Sequence, residues 1–189
     1  MKGSSFLYNY FVIDATIIFY FGNKKAIIQS RRTNKTPFGD YFKENYMNAI
    51  DFLIKEHNKV RDLLADISDE SHRETTKKKM FDSLCDDLLR HESMEHAVWY
   101  PCFKNDKRLK ETVRHLLTEE KGAEKAIKKL DSVNSFKEWE EKFTHFKEAV
   151  EHHAKEEEEE LFPEVMKLLS EEQLEDIGKK MWAFKRDYH

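Results

Sequence analysis

The sequence predicts an all-α protein: an antiparallel up-down-up-down four-helix bundle with a short C-terminal fifth helix and an N-terminal extension that does not conform to it. The 189 residues include only five glycines and three prolines, whereas 37% are charged, a composition that favours long helices over many strands and turns. Apolar residues also recur at steps of three and four, as they do on one face of an amphipathic helix. Because the connections between these segments are short, successive helices are expected to run antiparallel.

Five segments carry the helical pattern. They are predicted to span residues 48–68, 73–100, 107–131, 135–161 and 170–184. The last two begin with the capping-box pattern, in which a serine precedes Glu or Gln by three residues: Ser135 with Glu138, and Ser170 with Gln173.

Polar residues and a proline are expected to delimit two of the helices. A short break at residues 104–106 supplies Asn105 or Asp106 as the cap of the third helix. Pro163 follows the fourth helical segment and is expected to perturb or end it, because proline lacks an amide hydrogen and its ring opposes the preceding turn.

Residues 1–46 are predicted to be an extension outside a domain of residues 47–184. The stretch 6–21 is apolar and aromatic, but polar residues interrupt it and it is shorter than the ~20 residues of a membrane span. It also lacks the small-residue cleavage site of a signal peptide. We therefore expect a poorly ordered extension, or one translated from upstream of a start at Met47, rather than a membrane anchor.

The charge and cysteine content bear on whether the protein binds nucleic acid and on its cellular compartment. The net charge is −4 with both signs interspersed, so the chain has no basic footprint for nucleic acid. Its two cysteines, Cys85 and Cys102, give no disulfide framework and suit a reducing compartment. A cytoplasmic location is therefore predicted, and the sequence names no protein partner.

Ionisable residues occupy central places in two of the apolar stripes. The stripe of the second helix reads Phe81, Leu84, Leu88, His91, Glu95, Val98 and Cys102. The stripe of the fourth reads Phe143, Phe146, Val150, His153, Glu157 and Leu161. Each stripe contains His, then Glu one helical turn later, and a proline follows. Burying an unpaired imidazolium or carboxylate costs several kcal/mol, so the pattern indicates a compensating metal ion.

One histidine per helix is available for such a site: His57, His91, His115 and His153. The core side chains of an up-down bundle converge at a given depth, and each of the two carboxylates lies one turn from its histidine. This donor set suits a pair of iron or manganese ions bridged by carboxylates, whereas zinc is satisfied by fewer ligands. A lone core histidine is more often a hydrogen-bonded packing residue, but two identical His-x3-Glu pairs favour the metal site.

The motifs resemble the hemerythrin-like family, the HHE cation-binding domains, over about Met47 to Lys180. The resemblance rests on Glu56-His57, on His91-x3-Glu95 with Trp99-Tyr100-Pro101, and on His153-x3-Glu157 with Leu161-Phe162-Pro163. The third helix departs from the family pattern, which has a Glu-His pair or His-x3-His there. Either His115 is the ligand, with Glu119 as an additional one, or the usual histidine has been replaced near Glu120.

The resemblance implies a non-haem di-iron site, oxo- or hydroxo-bridged, with manganese as the other candidate metal. The predicted ligands are His57, His91, Glu95, His115, Glu119, His153 and Glu157, and no residue is assigned a catalytic role. The implied function is to bind or sense iron, dioxygen, nitric oxide or redox state. Because the site holds more carboxylates than the five-histidine site of oxygen carriers, redox sensing or iron handling is expected over oxygen carriage. The alternative is a di-iron enzyme that acts on peroxide or repairs iron centres.

Overall fold

The computed structural model describes residues 11–13, 16–21, 24–29 and 47–188. From residue 47 onward the chain is helical, with α1 at Ala49–Ser68, α2 at Glu74–Met94, α3 at Lys110–Asp131, α4 at Phe136–Glu156, α5 at Phe162–Leu168 and α6 at Glu171–Asp187. The predicted fold class is confirmed: these helices form a bundle, in which α1 packs against α2 and α6, and α3 packs against α4. No helix within the described residues is long and apolar enough to cross a membrane.

Two π-helical segments, Glu95–Trp99 and Glu157–Leu161, continue α2 and α4. In each, the amide that follows the segment donates to the carbonyl of its first residue, five positions back. Each segment is followed within two residues by a proline, Pro101 or Pro163, whose ring and missing amide hydrogen oppose a regular α-helix. Pro163 therefore perturbs the fourth helical segment without ending it, since α5 follows directly.

One of the two predicted capping boxes is present. The Ser170 side chain accepts from the Gln173 amide while the Gln173 side chain accepts from the Ser170 amide, at the start of α6. Ser135 occupies the N-cap position of α4, but its side chain makes no capping hydrogen bond. The prediction of a box at Ser135 is therefore wrong.

Helix α3 begins at Lys110, three residues later than predicted, with Leu109 at the N-cap. Asp106 lies in a hydrogen-bonded turn just before α3. Its carbonyl accepts from the amides of Leu109 and Lys110, and its carboxylate accepts from the backbone and side chain of Arg108. Asp106 is thus used in the connection, and neither it nor Asn105 is the cap residue.

The bundle has two hydrophobic clusters, one at each end. The first includes residues of α1, α5, α6 and the first π-helical segment, and the second includes residues of α1, α2, α3 and α4. Along the helices, the change from one cluster to the other coincides with ionisable residues: His57 on α1, His91 on α2, Glu120 on α3 and His153 on α4. The fold therefore places a polar layer between two apolar ones.

A small antiparallel sheet lies within the N-terminal extension. Its strands are β1 (Phe11–Ile13), β2 (Thr16–Phe21) and β3 (Lys24–Gln29), in the order β1-β2-β3, and Ile17 pairs with Ile28. We predicted no strands here, although β-branched and aromatic residues are typical of them. The rest of the extension lies outside the described residues, so the domain boundary at residue 47 stays a prediction.

Candidate metal centre

Two groups of ionisable side chains meet in the polar layer. The first group is His57, His91, Glu95 and Glu157, and the second is Glu95, Glu120 and His153. Within each group, one donor atom of every residue lies within 4.8 Å of the others. Glu95 belongs to both groups, and its side chain and that of Glu157 are 0% exposed. Glu95 is thus common to two adjacent groups of candidate cation ligands.

The His57 ring is oriented from outside the first group. Its Nδ1 lies 2.8 Å from Oε1 of Glu158, and a carboxylate can only accept, so this nitrogen carries the hydrogen. Arg61 holds the same Glu158 carboxylate at 2.9 Å. In the neutral ring, the lone pair on Nε2 of His57 is therefore left for the group, where Oε2 of Glu157 lies 3.3 Å away. Burial lowers the pKa of His57, but Glu157 and Glu158 outweigh that effect and raise it above its usual value, so a metal ion would displace a proton here too. Carboxylate–imidazole pairs of this kind fix metal-ligating histidines.

His153 is oriented in the same way in the second group. Its Nδ1 lies 3.1 Å from Oε2 of Glu119 and donates to it, while its Nε2 is buried without a partner. Glu119, predicted as an additional ligand, thus supports His153 rather than joining the buried group.

Tyr100 connects the two groups. Its hydroxyl oxygen lies 3.0 Å from Oε1 of Glu120 and 3.0 Å from Oε1 of Glu157, and the residue is 2% exposed. The second oxygen of Glu120 lies 2.6 Å from Nε2 of His96. Glu120 is thus held by two donors, and a single phenolic hydrogen serves two carboxylates inside the core.

Six buried nitrogen and oxygen atoms in this layer have no hydrogen-bond partner. They are Nε2 of His57, Nδ1 of His91, both oxygens of Glu95, Nε2 of His153 and Oε2 of Glu157. Leaving a buried polar atom unpaired costs ~1–3 kcal/mol, and more for a charged group. Native proteins keep few such atoms, so their concentration here fits a site built for cations.

Without a metal ion, the pKa shifts of Glu95 and His91 favour the neutral form of each side chain. Burial raises the pKa of Glu95 well above its usual value, and the nearby carboxylates of Glu157 and Glu120 raise it further. Burial, together with repulsion from His57, lowers the pKa of His91 to about 3. His91 is therefore neutral, which is the form that binds metals, whereas ionised Glu95 calls for a compensating positive charge.

The remaining groups are governed by imidazole–carboxylate pairing. Burial opposes the ionisation of Glu157, but the adjacent His57 ring and attraction to His153 outweigh it and lower the pKa of Glu157 to about 2. Burial lowers the pKa of His153, but Glu119 and nearby carboxylates outweigh that effect and raise it to about 8. A metal ion would take the place of the proton on His153, so its binding is expected to compete with protonation.

Five of the seven predicted site residues lie in the buried groups: His57, His91, Glu95, His153 and Glu157. His115 does not, because its side chain is 59% exposed and clusters with Glu119 and Glu156 at the surface. Helix α3 instead contributes Glu120 to the second buried group. This agrees with the alternative prediction, in which the usual histidine is replaced near Glu120. Glu120 follows the buried Leu116 by one turn, so the periodicity of α3 carried the signal.

Comparison with known protein families matches residues 48–165 to the hemerythrin HHE cation-binding domain. The chain belongs to this family. Among solved structures, an HHE cation-binding domain-containing protein from Mycobacterium kansasii matches with a TM-score of 0.66 and 24% identity, over 74% of this chain and 86% of that chain. At this identity the likeness shows a shared fold. The search of curated proteins found no match.

The HHE match covers every residue of both buried groups. It ends at residue 165, so α6 lies beyond it even though Leu174, Ile177 and Met181 of α6 belong to the first hydrophobic cluster. In this HHE protein, α6 thus lies outside the matched residues and packs on α1.

Proposed function

We propose that the HHE domain holds two iron ions in its polar layer, with Glu95 shared between them. The observation that carries the proposal is the set of buried, unpartnered nitrogen and oxygen atoms around Glu95. His57 and His153 would each offer Nε2, because Glu158 and Glu119 occupy their Nδ1 atoms. Glu157 would join the first ion and Glu120 the second.

The donor chemistry supports iron, with manganese as the alternative. Three imidazoles and three carboxylates line the two positions, a mixed nitrogen and oxygen set that suits first-row metals of this kind. When ionised, the three carboxylates carry three negative charges, which nearly balance the four positive charges of two divalent ions. They would also stabilise the more highly charged ferric ions. A structural zinc ion usually has four ligands, and the six side chains of this layer exceed that number.

The proposed role is redox or iron sensing, with dioxygen or nitric oxide as the small-molecule ligand. When bound, an iron pair supplies redox chemistry and a coordination position for such a ligand. A cavity of about 30 Å³ borders His57, His91 and His153, and its other lining residues include Val60, Leu64, Leu88 and Val150. A cavity above ~10–15 Å³ admits a water-sized molecule. This one is therefore wide enough for a diatomic molecule, and its apolar lining favours a nonpolar one.

The second candidate function is an enzyme acting on peroxide, and Tyr100 favours it. Its hydroxyl lies between Glu120 and Glu157, so it can hold a proton at the position where the carboxylates meet. An enzyme that reduces peroxide needs a proton donor at the reacting site.

Metal analysis with an optical spectrum tests the proposal. Protein grown with added iron should carry about two ions per chain, one per buried group, and a bridged ferric pair should absorb in the near ultraviolet. Glu95→Ala should lower the iron content and abolish that band, whereas His145→Ala, a variant of an 83% exposed histidine, should change neither. Wild-type protein that neither carries nor takes up iron would refute the proposal.

Steady-state turnover of hydrogen peroxide by the iron-loaded protein separates the two candidates. Sustained turnover that Tyr100→Phe lowers would favour the enzyme. Stoichiometric oxidation of the metal, without turnover, would favour the sensor. Neither Cys85 nor Cys102 forms a disulfide, which supports placing either function in a reducing compartment such as the cytoplasm.

A further inference from the structure

A second cluster of histidines and glutamates lies on the outer face of α3 and α4. Each helix contributes a His-x3-Glu pair, His115 with Glu119 on α3 and His152 with Glu156 on α4. Residues four apart lie on the same face of a helix, and α3 packs against α4. The two pairs therefore face each other across the helix–helix contact.

The four histidine–carboxylate distances in this cluster match those between ligands on one metal ion, and donor atoms of His115, Glu119 and Glu156 all lie within 4.8 Å of one another. Nε2 of His115 lies 3.2 Å from Oε2 of Glu156 and 3.7 Å from Oε1 of Glu119. Nε2 of His152 lies 3.5 Å from Oε1 of Glu119 and 3.7 Å from Oε1 of Glu156. Two donors on a tetrahedral zinc ion, each ~2.1 Å from it, are about 3.4 Å apart.

The two carboxylates are more constrained than the imidazoles. Glu119 and Glu156 are each 19% exposed, whereas His115 and His152 are 59% and 60% exposed. Glu119 is also held from inside, since its Oε2 accepts from His153 at 3.1 Å, and Oε2 of Glu156 is buried with Nε2 of His115 3.2 Å away. The two carboxylates are thus held in place near the protein interior, and the two imidazoles face the solvent, from which an ion would bind.

We propose that His115, Glu119, His152 and Glu156 form a third, solvent-accessible metal site that binds one divalent first-row transition ion. Two imidazoles and two carboxylates are the ligands that zinc and ferrous ions accept. The site touches the buried pair through Glu119, whose Oε2 accepts from His153, but it shares no ligand with that pair and requires no assumption about which ions fill it. The competing interpretation is that these residues form surface ion pairs only, which contribute ~0–1 kcal/mol.

Calorimetric titration of the full-length, iron-loaded protein with Zn²⁺ tests the site. Wild type should bind one further Zn²⁺ per chain. A His115→Ala, His152→Ala double variant should bind it more than about a hundredfold more weakly, since losing even an outer-shell partner costs ~10–100-fold. His145→Ala, which also removes an exposed histidine paired with a glutamate, should leave the titration unchanged.

Two results would overturn the proposal: no further Zn²⁺ bound by wild type, or equal binding by the double variant. A second titration keeps this test independent of the buried iron. A His91→Leu, Glu95→Leu variant, which removes ligands of the proposed pair, should still bind Zn²⁺ at the surface. That binding should be lost when His115→Ala and His152→Ala are added, and its persistence would also count against the site.

Discussion

Glu120 illustrates how one helical position decides which side chain reaches the buried layer. It lies seven residues after Val113 and four after Leu116, both buried on α3, so all three share a face. His115 precedes Leu116 by one residue, which rotates it ~100° away from that face. The layer therefore takes its third-helix donor from Glu120, although a histidine is present five residues earlier.

Substituting these two residues should have opposite outcomes for the buried pair. Glu120→Ala should weaken one of the two ions by at least ~10–100-fold, the range measured for losing outer-shell partners alone. His115→Ala should leave the buried ions and the ferric spectrum unchanged, because its ring lies outside the layer. Iron content after dialysis measures both. Loss of iron in His115→Ala with retention in Glu120→Ala would return the third-helix ligand to His115.

At the scale of elements, the doubled motif produces the same local distortion twice. Glu95 and Glu157 each begin a π-helical segment, and each segment lies just before a proline. The wider turn avoids the clash that the proline ring would make with a regular α-helix. Single-turn π-helical insertions are frequent at functional sites, and here both coincide with the fully buried carboxylates. The prolines thus help to set the geometry of the layer from outside it.

The packing of α6 on α1 depends on Gly178. A Cβ built there would lie 2.4 Å from the carbonyl oxygen of Met47 and 3.0 Å from the amide nitrogen of Ala49, and backbone atoms yield little. Gly178→Ala should therefore lower the free energy of unfolding by about 1–3 kcal/mol. A Cβ added at Gly122 on α3 would meet no atom within 4 Å, so Gly122→Ala should raise that energy by ~1 kcal/mol.

Chemical denaturation of the two alanine variants checks this contrast. The midpoint should fall for Gly178→Ala and rise for Gly122→Ala, with similar slopes. An unchanged or higher midpoint in Gly178→Ala would mean that α6 does not pack closely on the start of α1.

At the scale of the whole molecule, the polar layer ties stability to the cations. Removing the ions should leave carboxylates and imidazoles buried without compensation. Chelation should lower the Tm of wild type by ~5–10 °C, because ligand at 100 times Kd adds ~2.7 kcal/mol and 1 kcal/mol corresponds to ~2–4 °C in a domain of this size. A His91→Leu, Glu95→Leu variant should show almost no shift. Equal shifts in both proteins would mean that the layer is an ordinary set of core polar groups.

Truncation tests which parts of the chain the bundle requires. A chain beginning at Met47 should keep its helicity and metal content, because every residue of the polar layer lies downstream. A chain that also ends at residue 165, where the family match stops, should unfold at lower denaturant, since it lacks the α6 residues of the first hydrophobic cluster. Circular dichroism during denaturation compares them. Failure of the first truncation to fold would move the domain boundary into residues 1–46.

The sequence by itself determined the helices, their antiparallel order and the two His-x3-Glu pairs, because periodicity and motif spacing are local properties of the chain. It also carried the phase that buries Glu120, although the predicted third-helix ligand was His115, whose side chain lies at the surface. Only the tertiary structure decided the contacts that join distant residues: Glu158 with His57, Tyr100 with Glu120 and Glu157, and the facing pairs on α3 and α4. These depend on how far each helix is rotated and shifted against its neighbour, which is set by side-chain packing across the whole bundle.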